Sequence, residues 1–276
     1  PSGLAVRAQN HTSLSPATEK NSEAFDYGLK RFLAEARTLA KFQEPNVVRV
    51  SRFLEANGTA YLVMDFEDGR PLSDVIARLR RLNEKQAKAV VANILRGLRA
   101  VHAKKFLHRD IKPGNILVRR TGPPVLLDFG AARIALEEQA GGLTVMLTPG
   151  YAPIEQYSRE EKQGPWSDIY AMGATAYHCI TGHAPPPATD RLAQTHHGLA
   201  DPAYEVLDAL GPDYSSDFVD AIKWMMELGD IDRPRTAGQA LAAVLGRATR
   251  TAPQEGVKTA GKLNRWAMKN LSFIVS

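Results

Sequence analysis

The segment FLHRDIKPGNILV, residues 106–118, holds several hydrophilic side chains between two apolar flanks. Asp110 and Asn115 are five residues apart on a loop that contains proline and glycine, and Lys112 lies between them. The carboxylate can orient a hydroxyl nucleophile, and the carboxamide oxygen can ligate a hard cation such as Mg²⁺. The lysine can neutralise charge on a phosphate in transit. The segment therefore indicates a loop that handles phosphate.

A second aspartate strengthens this interpretation. Asp128 lies thirteen residues beyond Asn115, at the end of an apolar run, and is followed by Phe129 and Gly130. It can be a second Mg²⁺ ligand, because this ion takes one or two protein carboxylates and completes its shell with water and phosphate oxygens. Taken alone, Asp-Phe-Gly also fits an ordinary turn, and His108 also fits a buried core histidine. The joint spacing of HRDxKxxxN and DFG seldom occurs by chance, and it favours the functional interpretation.

Composition limits the class of protein. Hydrophobic residues make up 44% and charged residues 24% of the 276 positions, as in a globular protein of one large domain or two lobes. The net charge of +5 is spread along the chain, and its RLRRL cluster (residues 78–82) fits a solvated helix face better than a nucleic-acid site. The single cysteine, Cys179, excludes an internal disulfide and fits a reducing, cytoplasmic compartment. The sequence contains neither an apolar run of membrane-spanning length nor a secretory signal.

Periodicity predicts few strands in the first part of the chain. Residues 1–21 are polar and aperiodic, which predicts a loop, and an amphipathic helix is expected from Ser22 to about Phe42. Two short apolar runs joined by Asn57 and Gly58 predict a β-hairpin.

The rest of the chain is predicted to be mainly helical. Asn83 and Gln86 form a capping box for a long helix. Residues 168–181 are apolar on nearly every side, which predicts a buried central helix, with Gly182 as its stop. Further helices are expected over residues 215–228 and 236–248. The expected organisation is a partial small lobe (1–66), a large helical lobe (67–248), and a linker and tail (249–276).

The motif HRDIKPGN followed by LLDFG resembles the catalytic and magnesium-binding loops of bacterial, eukaryotic-like serine/threonine protein kinases. Further matching segments extend the resemblance to about residues 22–247: RFLAEARTLAKF, YLVMDFEDG, TPGYAPIEQY, SDIYAMGATAYHCITG and DRP. It implies an α+β, two-lobed kinase fold with a mainly helical large lobe and an incomplete small β lobe. It also implies transfer of the ATP γ-phosphoryl group to Ser or Thr hydroxyls of a protein substrate, with Mg²⁺ as the cofactor.

The resemblance assigns catalytic and nucleotide-binding roles. Asp110 would align the acceptor hydroxyl, Lys112 would offset charge on the moving phosphoryl group and favour Ser/Thr acceptors over Tyr, and Asn115 and Asp128 would hold the metal. Met64 would be the gatekeeper, and Asp65 and Glu67 would offer backbone groups to adenine. The remaining nucleotide-binding residues implied are Glu35, as partner of a nucleotide-holding lysine, and Leu117.

Other implied roles are structural or regulatory. Glu155, in the substrate-docking segment, would pair with Arg233. Arg109 would pair with a phosphorylated loop residue, for which Thr144 is the candidate, although a solvated loop residue or a substrate contact also fits Thr144. Thr148 is expected to hydrogen-bond Asp110 and to help select Ser/Thr substrates. The remaining structural residues implied are His108, Phe129 and Asp168.

The sequence departs from the family pattern at two places. The usual Ala-Pro-Glu triplet is replaced by Pro153, Ile154 and Glu155, with little expected consequence because the glutamate remains. No glycine-rich phosphate loop is present, and no lysine is expected on a strand ahead of Glu35, since Lys20 and Lys30 lack strand context. We therefore expect an N-terminally truncated piece of an active kinase, which binds ATP weakly or not at all by itself.

Two other functions fit part of the pattern. A small-molecule phosphotransferase shares the aspartate–asparagine spacing, but usually has His-Gly-Asp and lacks a counterpart of Arg233. A pseudokinase or scaffold would explain the absent lysine, whereas the intact Asp110, Asn115 and Asp128 argue against it. In the tail, Trp266 and nearby lysines fit either a packing or disordered end or a membrane contact, so a membrane tether is expected only beyond the C-terminal end.

Overall fold

A computed structural model of the chain describes residues 5–7, 13–19, 22–40, 43–128, 147–158 and 161–248. Its first part contains two antiparallel strand pairs and one helix. Strand β1 (Ala5–Arg7) pairs with β2 (Leu14–Pro16), helix α1 spans Ser22–Leu39, and β3 (Val50–Ala56) pairs with β4 (Thr59–Met64). The amphipathic helix is confirmed and ends about three residues before the expected position.

The turn between β3 and β4 explains why this hairpin was predictable. Asn57 and Gly58 both have positive φ, 56° and 68°, as the tight hairpin turns that match strand twist require. The turn also packs against β2, because the Leu14 N–H donates to the Asn57 carbonyl at 2.8 Å. The prediction that residues 1–21 form only a loop is therefore wrong. β1 and β2 are three residues long, too short for an alternating pattern to be visible.

A third, three-stranded sheet follows the two strand pairs. Strands β5 (Gly69–Pro71), β6 (Ile116–Arg119) and β7 (Val125–Leu126) are antiparallel, with β6 in the middle. Helix α2 (Leu72–Leu79) follows β5 directly, and sequence analysis did not predict it as a separate helix. The basic cluster at residues 78–82 spans the C-terminal end of α2, where Arg78, Arg80 and Arg81 are exposed.

The remaining part is helical and contains most of the buried core. Helix α3 (Glu84–Ala103) begins with the predicted capping box, in which Asn83 and Gln86 exchange hydrogen bonds of 2.9 and 3.1 Å. Helix α4 (Pro165–Thr181) is buried along most of its length and is followed by Gly182 with φ 84°. The other helices are α5 (Ala188–His196), α6 (Pro202–Asp208), α7 (Ser216–Met225) and α8 (Ala237–Val244).

Helix α4 is the centre of this helical part, and α3 and α7 pack against it. The predicted class, α+β with a small sheet region and a mainly helical large lobe, is confirmed. Within the described ranges, no helix combines the length and the hydropathy that a bilayer crossing requires.

Candidate active site

The predicted catalytic loop (residues 108–115) has its backbone held by one buried carboxylate. Asp168, in the first turn of α4, is fully buried and accepts hydrogen bonds from the backbone N–H groups of His108 (2.9 Å) and Arg109 (2.7 Å). His102, near the end of α3, contacts the same carboxylate through Nε2 at 2.8 Å. Arg109 has a φ of 68°, a left-handed conformation that costs energy in a non-glycine residue. Asp168 stabilises the strained turn that carries Asp110.

Asp168 remains charged despite its burial. Burial by itself would raise the pKa of this carboxyl, but the hydrogen bond and charge of His102 and the hydrogen bond from the Arg109 N–H lower the pKa by more. A buried carboxylate of this kind is stabilised by its hydrogen-bond donors, so the loop and the core helices α3 and α4 depend on each other.

His108 links the catalytic loop to the strand end before Asp128. Its Nε2 lies 2.7 Å from the Leu127 carbonyl, and its Nδ1 accepts from the Asp110 N–H at 3.3 Å. Because Nδ1 accepts, the proton of a neutral ring must be on Nε2, which donates to Leu127. Burial lowers the pKa of His108, and the nearby Asp168 carboxylate offsets only part of this effect. The neutral ring therefore bridges the two segments that carry the acidic residues.

The Asp110 carboxylate is held at both oxygens. Oδ1 accepts from the Thr148 hydroxyl at 3.1 Å, while Oδ2 accepts from the Asn115 amide at 2.9 Å and from the Lys112 ammonium at 2.9 Å. The Lys112 ammonium also donates to the Thr148 hydroxyl at 3.0 Å. The side chains of Asp110 and Lys112 keep 15% and 27% of their surface exposed, so a substrate can reach this closed network.

The β6–β7 ladder brings Asn115 and Asp128 to the same end of the sheet. Asn115 directly precedes β6, Asp128 follows β7 by two residues, and the Leu127 N–H donates to the Asn115 carbonyl at 2.8 Å. The NH₂ group of Asn115 donates to both the carbonyl and the carboxylate of Asp110, so the amide oxygen points away from Asp110. Asp128 is exposed and has a φ of 39°, a sparsely populated conformation that is frequent at functional turns.

These two side chains fit a magnesium ion by their chemistry. One carboxylate and one amide oxygen are hard ligands, and Mg²⁺ usually relies on one or two protein groups together with phosphate and water. The described residues include no group of three or more His, Cys, Asp or Glu side chains that could hold a metal. A metal at this sheet end would therefore depend on Asn115, Asp128 and the phosphates.

The segment after β4 has few groups left for a nucleotide base. Met64 ends β4 and is 37% exposed. The Asp65 N–H donates to the Arg49 carbonyl at 3.0 Å, which leaves the Asp65 carbonyl as the group that can contact a base. The Glu67 carboxylate forms two bonds of 2.6 Å with Arg119, which leaves its backbone groups.

The other expected nucleotide-binding residues belong to β6 and α1. Leu117 is 9% exposed and packs with Val48 and Val125 in a small apolar cluster. Glu35 lies in α1. Outside the described residues lie the side chain of Glu35 and the whole of Phe129 and Thr144.

The predicted substrate-docking segment (residues 148–157) is anchored by a buried ion pair. The Arg233 guanidinium contacts the Glu155 carboxylate at 2.7 and 3.1 Å, and both residues are at most 3% exposed. Ser167, in α4, donates to the same carboxylate at 2.7 Å, and Arg233 also donates to the Leu228 carbonyl at 2.9 Å. All three guanidinium nitrogens of Arg233 and both carboxylate oxygens of Glu155 have hydrogen-bond partners, which offsets the cost of burying the two charges.

Sequence reasoning missed three residues of the site. His102 lies four residues after Leu98 on the buried face of α3, and a polar residue on such a face is a signal that could have been used. Ser167 and Arg119 gave no comparable signal. Their partners, Glu155 and Glu67, lie 12 and 52 positions away in the sequence.

Comparisons with known proteins agree with this geometry. The family model described as "Protein kinase domain" matches residues 10–244. The chain is 38% identical over 165 residues to the serine/threonine-protein kinase PknA of Mycobacterium tuberculosis, which covers 57% of the chain and 38% of PknA. It is 34% identical over 173 residues to the probable serine/threonine-protein kinase PknB of Bifidobacterium longum, covering 58% of the chain and 25% of that protein. The chain thus aligns with well under half the length of these curated relatives.

Solved structures share most of this fold. The apo form of PpkA (PpkA-294) has a TM-score of 0.74 and 33% identity, covering 89% of this chain and 84% of that one. A Rad53 fragment in complex with AMP-PNP has a TM-score of 0.61 and 26% identity, covering 78% of this chain and 53% of that one.

Proposed function

The chain belongs to the protein kinase family, and on this premise we propose that it carries the catalytic centre of a serine/threonine protein kinase. The reaction is transfer of the γ-phosphoryl group of ATP to a Ser or Thr hydroxyl of a protein. The observation that carries the proposal is the Asp110 carboxylate, held at both oxygens by Thr148, Lys112 and Asn115 yet reachable from solvent. The serine/threonine kinases among the relatives support the substrate class.

The proposed reaction exchanges one phosphorus–oxygen bond for another. The acceptor oxygen forms a bond to the γ-phosphorus, the bond between that phosphorus and the β–γ bridging oxygen breaks, and ADP leaves with the electron pair. Asp110 orients the acceptor hydroxyl and takes its proton, and Lys112 offsets the charge of the phosphoryl group in transit. Asn115 and Asp128 would hold Mg²⁺, which supplies positive charge to the phosphates.

The nucleotide would lie against the segment Asp65–Glu67 and the apolar surface that includes Leu117. The Asp65 carbonyl and the Glu67 backbone are the groups assigned to adenine, with Met64 beside them. The AMP-PNP complex of the Rad53 relative supports an adenine nucleotide here, because AMP-PNP is an analogue of ATP. Since β1 and β2 carry no lysine and the sequence has no glycine-rich loop, residues 1–276 alone are expected to bind ATP weakly. The use of ATP and the single, buried cysteine favour a cytoplasmic location.

Arg109 is assigned to regulation. Its Nε is buried and has no hydrogen-bond partner among the described residues, although its backbone is held by Asp168. A guanidinium with an unused N–H group can donate a hydrogen bond to a phosphate group. We therefore assign Thr144 as the residue whose phosphate pairs with Arg109, and mass spectrometry of the protein after incubation with ATP tests this assignment.

The proposed function is tested by transfer of labelled phosphate from Mg–ATP to a protein substrate, followed by phosphoamino-acid analysis. Asp110→Asn should reduce transfer by about 10²–10⁴-fold, the usual contribution of a positioned base. Asp74→Asn, at an exposed aspartate of α2, is the matched control and should leave transfer unchanged. Full activity of Asp110→Asn, or label on tyrosine alone, would refute the proposal. A protein that binds its partners but transfers no phosphate would favour the scaffold function, which the absent lysine supports.

A further inference from the structure

We propose that Arg119 is a positioning residue for the nucleotide site, because its guanidinium fixes the segment that faces the base. The proposal rests on the proposed function, since it concerns the segment Asp65–Glu67 to which adenine is assigned. The residues that act together are Arg119, Glu67, Pro45 and Pro123, and we refer to them as the Arg119 clamp.

The clamp uses four hydrogen bonds from one side chain. Arg119 Nε and Nη2 donate to the two carboxylate oxygens of Glu67, both at 2.6 Å. Nη1 donates to the carbonyl oxygens of Pro45 at 2.7 Å and of Pro123 at 3.1 Å. The side chains of Arg119 and Glu67 are only 17% and 18% exposed, so solvent screens this pair less than a surface pair.

The three partners belong to different parts of the fold. Glu67 lies in the link between β4 and β5, Pro45 lies in the loop between α1 and β3, and Pro123 lies in the turn between β6 and β7. The Pro45 loop is itself joined to β7, because the Leu126 N–H donates to the Asn46 carbonyl at 2.9 Å. Arg119 therefore joins the link between β4 and β5 to the backbone of the Pro45 loop and of the Pro123 turn.

The backbone at the end of the link is held against β6. Gly69, the first residue of β5, pairs with Arg119, and a Cβ atom on Gly69 would lie 2.5 Å from the Val118 carbonyl oxygen, so the two strands are in close contact there. With the Asp65 N–H bonded to the Arg49 carbonyl and the Glu67 side chain bonded to Arg119, both ends of the segment are fixed. The backbone groups between them are thus oriented before a nucleotide arrives, which reduces the entropy that binding costs.

Only arginine can form this arrangement. A planar guanidinium presents donors in a rigid fork that matches a carboxylate and leaves further N–H groups for the two carbonyls. A lysine at position 119 would keep the charge but could reach one or two of these acceptors at a time.

The next residue along each segment supplies a matched control. The side chains of Arg120 and Asp68 form a single contact of 3.1 Å and are 80% and 63% exposed. This pair has the same charges and joins the same two segments. It lacks the bidentate geometry and the burial, so it should contribute little.

The test compares Arg119→Ala, Arg119→Lys and Glu67→Gln with Arg120→Ala and Asp68→Asn in the full chain. Hydrogen exchange at the amides of residues 66–69 should accelerate by about tenfold or more in Arg119→Ala and less in Arg119→Lys, with no change in the two control variants. Affinity for Mg–AMP-PNP, measured by calorimetry, should fall by about tenfold in Arg119→Ala, in line with the loss of a pre-ordered segment. Urea denaturation checks that each variant is folded.

Equal exchange in Arg119→Ala and Arg120→Ala would overturn the clamp. Faster exchange in Arg119→Ala with unchanged nucleotide affinity would overturn its positioning role. If the unmodified chain binds no adenine nucleotide at millimolar concentration, the positioning role is overturned for residues 1–276, whereas the proposed function is decided separately by phosphate transfer that depends on Asp110. An unmodified chain that binds, together with a weakened Arg119→Ala, supports both.

Discussion

Arg233 and Glu155 form a bidentate ion pair inside the large lobe, with Nη1–Oε1 and Nη2–Oε2 distances of 2.7 and 3.1 Å. The pair joins the substrate-docking segment to the stretch that leads into α8. Arg233→Ala should lower the free energy of unfolding by about 3–5 kcal/mol, because it leaves the buried Glu155 carboxylate without its counter-charge. Urea denaturation at neutral pH measures the difference.

An exposed pair of similar length is the control for this prediction. Arg81 and Asp213 are 2.8 Å apart, but their side chains are 47% and 62% exposed. Arg81→Ala should therefore cost less than about 1 kcal/mol. If Arg233→Ala and Arg81→Ala lower the free energy of unfolding equally, burial does not determine how much the Arg233–Glu155 pair stabilises the fold.

The stability of the fold should fall as the pH drops below 6.5, and His108 should account for part of this dependence. Burial lowers the pKa of His108 from its ordinary value of 6.5, and the neighbouring carboxylates restore only part of it. Below pH 6.5 the unfolded chain therefore binds more protons at this residue than the folded chain, and the free energy of unfolding decreases. One such group changes stability by at most about 1.4 kcal/mol per pH unit.

Urea denaturation at pH 7.5 and 5.5 measures this dependence. The stability difference between the two pH values should be smaller in His108→Gln than in the unmodified protein, and unchanged in His196→Gln, an exposed control. Some dependence should remain, because burial and the charge of His183 also lower the pKa of His178. Asp168 contributes in the same direction only below its ordinary pKa of 3.8, outside this range. An unchanged pH dependence in His108→Gln would contradict the prediction.

Gly150 should be irreplaceable in the substrate-docking segment. Its φ is 87°, and a Cβ atom there would lie 2.7 Å from the Pro185 carbonyl oxygen. Gly150→Ala should therefore cost about 1–2 kcal/mol for the left-handed backbone and about 1–3 kcal/mol more for the steric overlap. Gly198 separates the two effects, because its φ is 75° and no described atom lies within 4 Å of the added Cβ. Equal losses in Gly150→Ala and Gly198→Ala, measured by urea denaturation, would show that the overlap with Pro185 is relieved.

Local signals in the sequence predicted the longer elements. The capping box at Asn83 and the Asn57-Gly58 turn act through groups a few residues apart, so they can be recognised without a fold. The three-residue strands β1 and β2 and the seven-residue helix α6 are too short for a period to be visible. Helix α5 was missed because its buried position 191 is an arginine, which the structure pairs with Asp201 at 2.7 Å and bonds to the Tyr170 hydroxyl. A buried charge of this kind disrupts the hydrophobic pattern that prediction relies on.

In the candidate site, too, local sequence signals could be recognised and long-range contacts could not. The spacing of Asp110, Asn115 and Asp128 predicts a phosphate-handling centre, because the chemistry requires these residue types on neighbouring turns. The contacts of Asp168 with His102 and of Arg119 with Glu67 could not be predicted from the residues alone. They span 66 and 52 positions and exist only once α3, α4 and the β5–β6–β7 sheet have packed.

Thr148 should affect turnover through its hydroxyl rather than its size. The hydroxyl donates to Asp110 Oδ1 and accepts from the Lys112 ammonium, so Thr148→Val removes one partner from each charged group while keeping the shape of the side chain. We expect kcat to fall by about 10–100-fold, as when a hydrogen bond to a charged group is lost, with little change in the KM for ATP. Thr148→Ser keeps the hydroxyl and should stay within about threefold of the unmodified enzyme. Steady-state kinetics measures kcat and KM for both variants, in a form of the protein whose activity is lost in Asp110→Asn. Thr189→Val in α5 is the control for the loss of a threonine hydroxyl elsewhere. Equal kcat values for Thr148→Val and Thr148→Ser would mean that Lys112 and Asp110 keep their working positions without the hydroxyl, and that Thr148 acts only by packing.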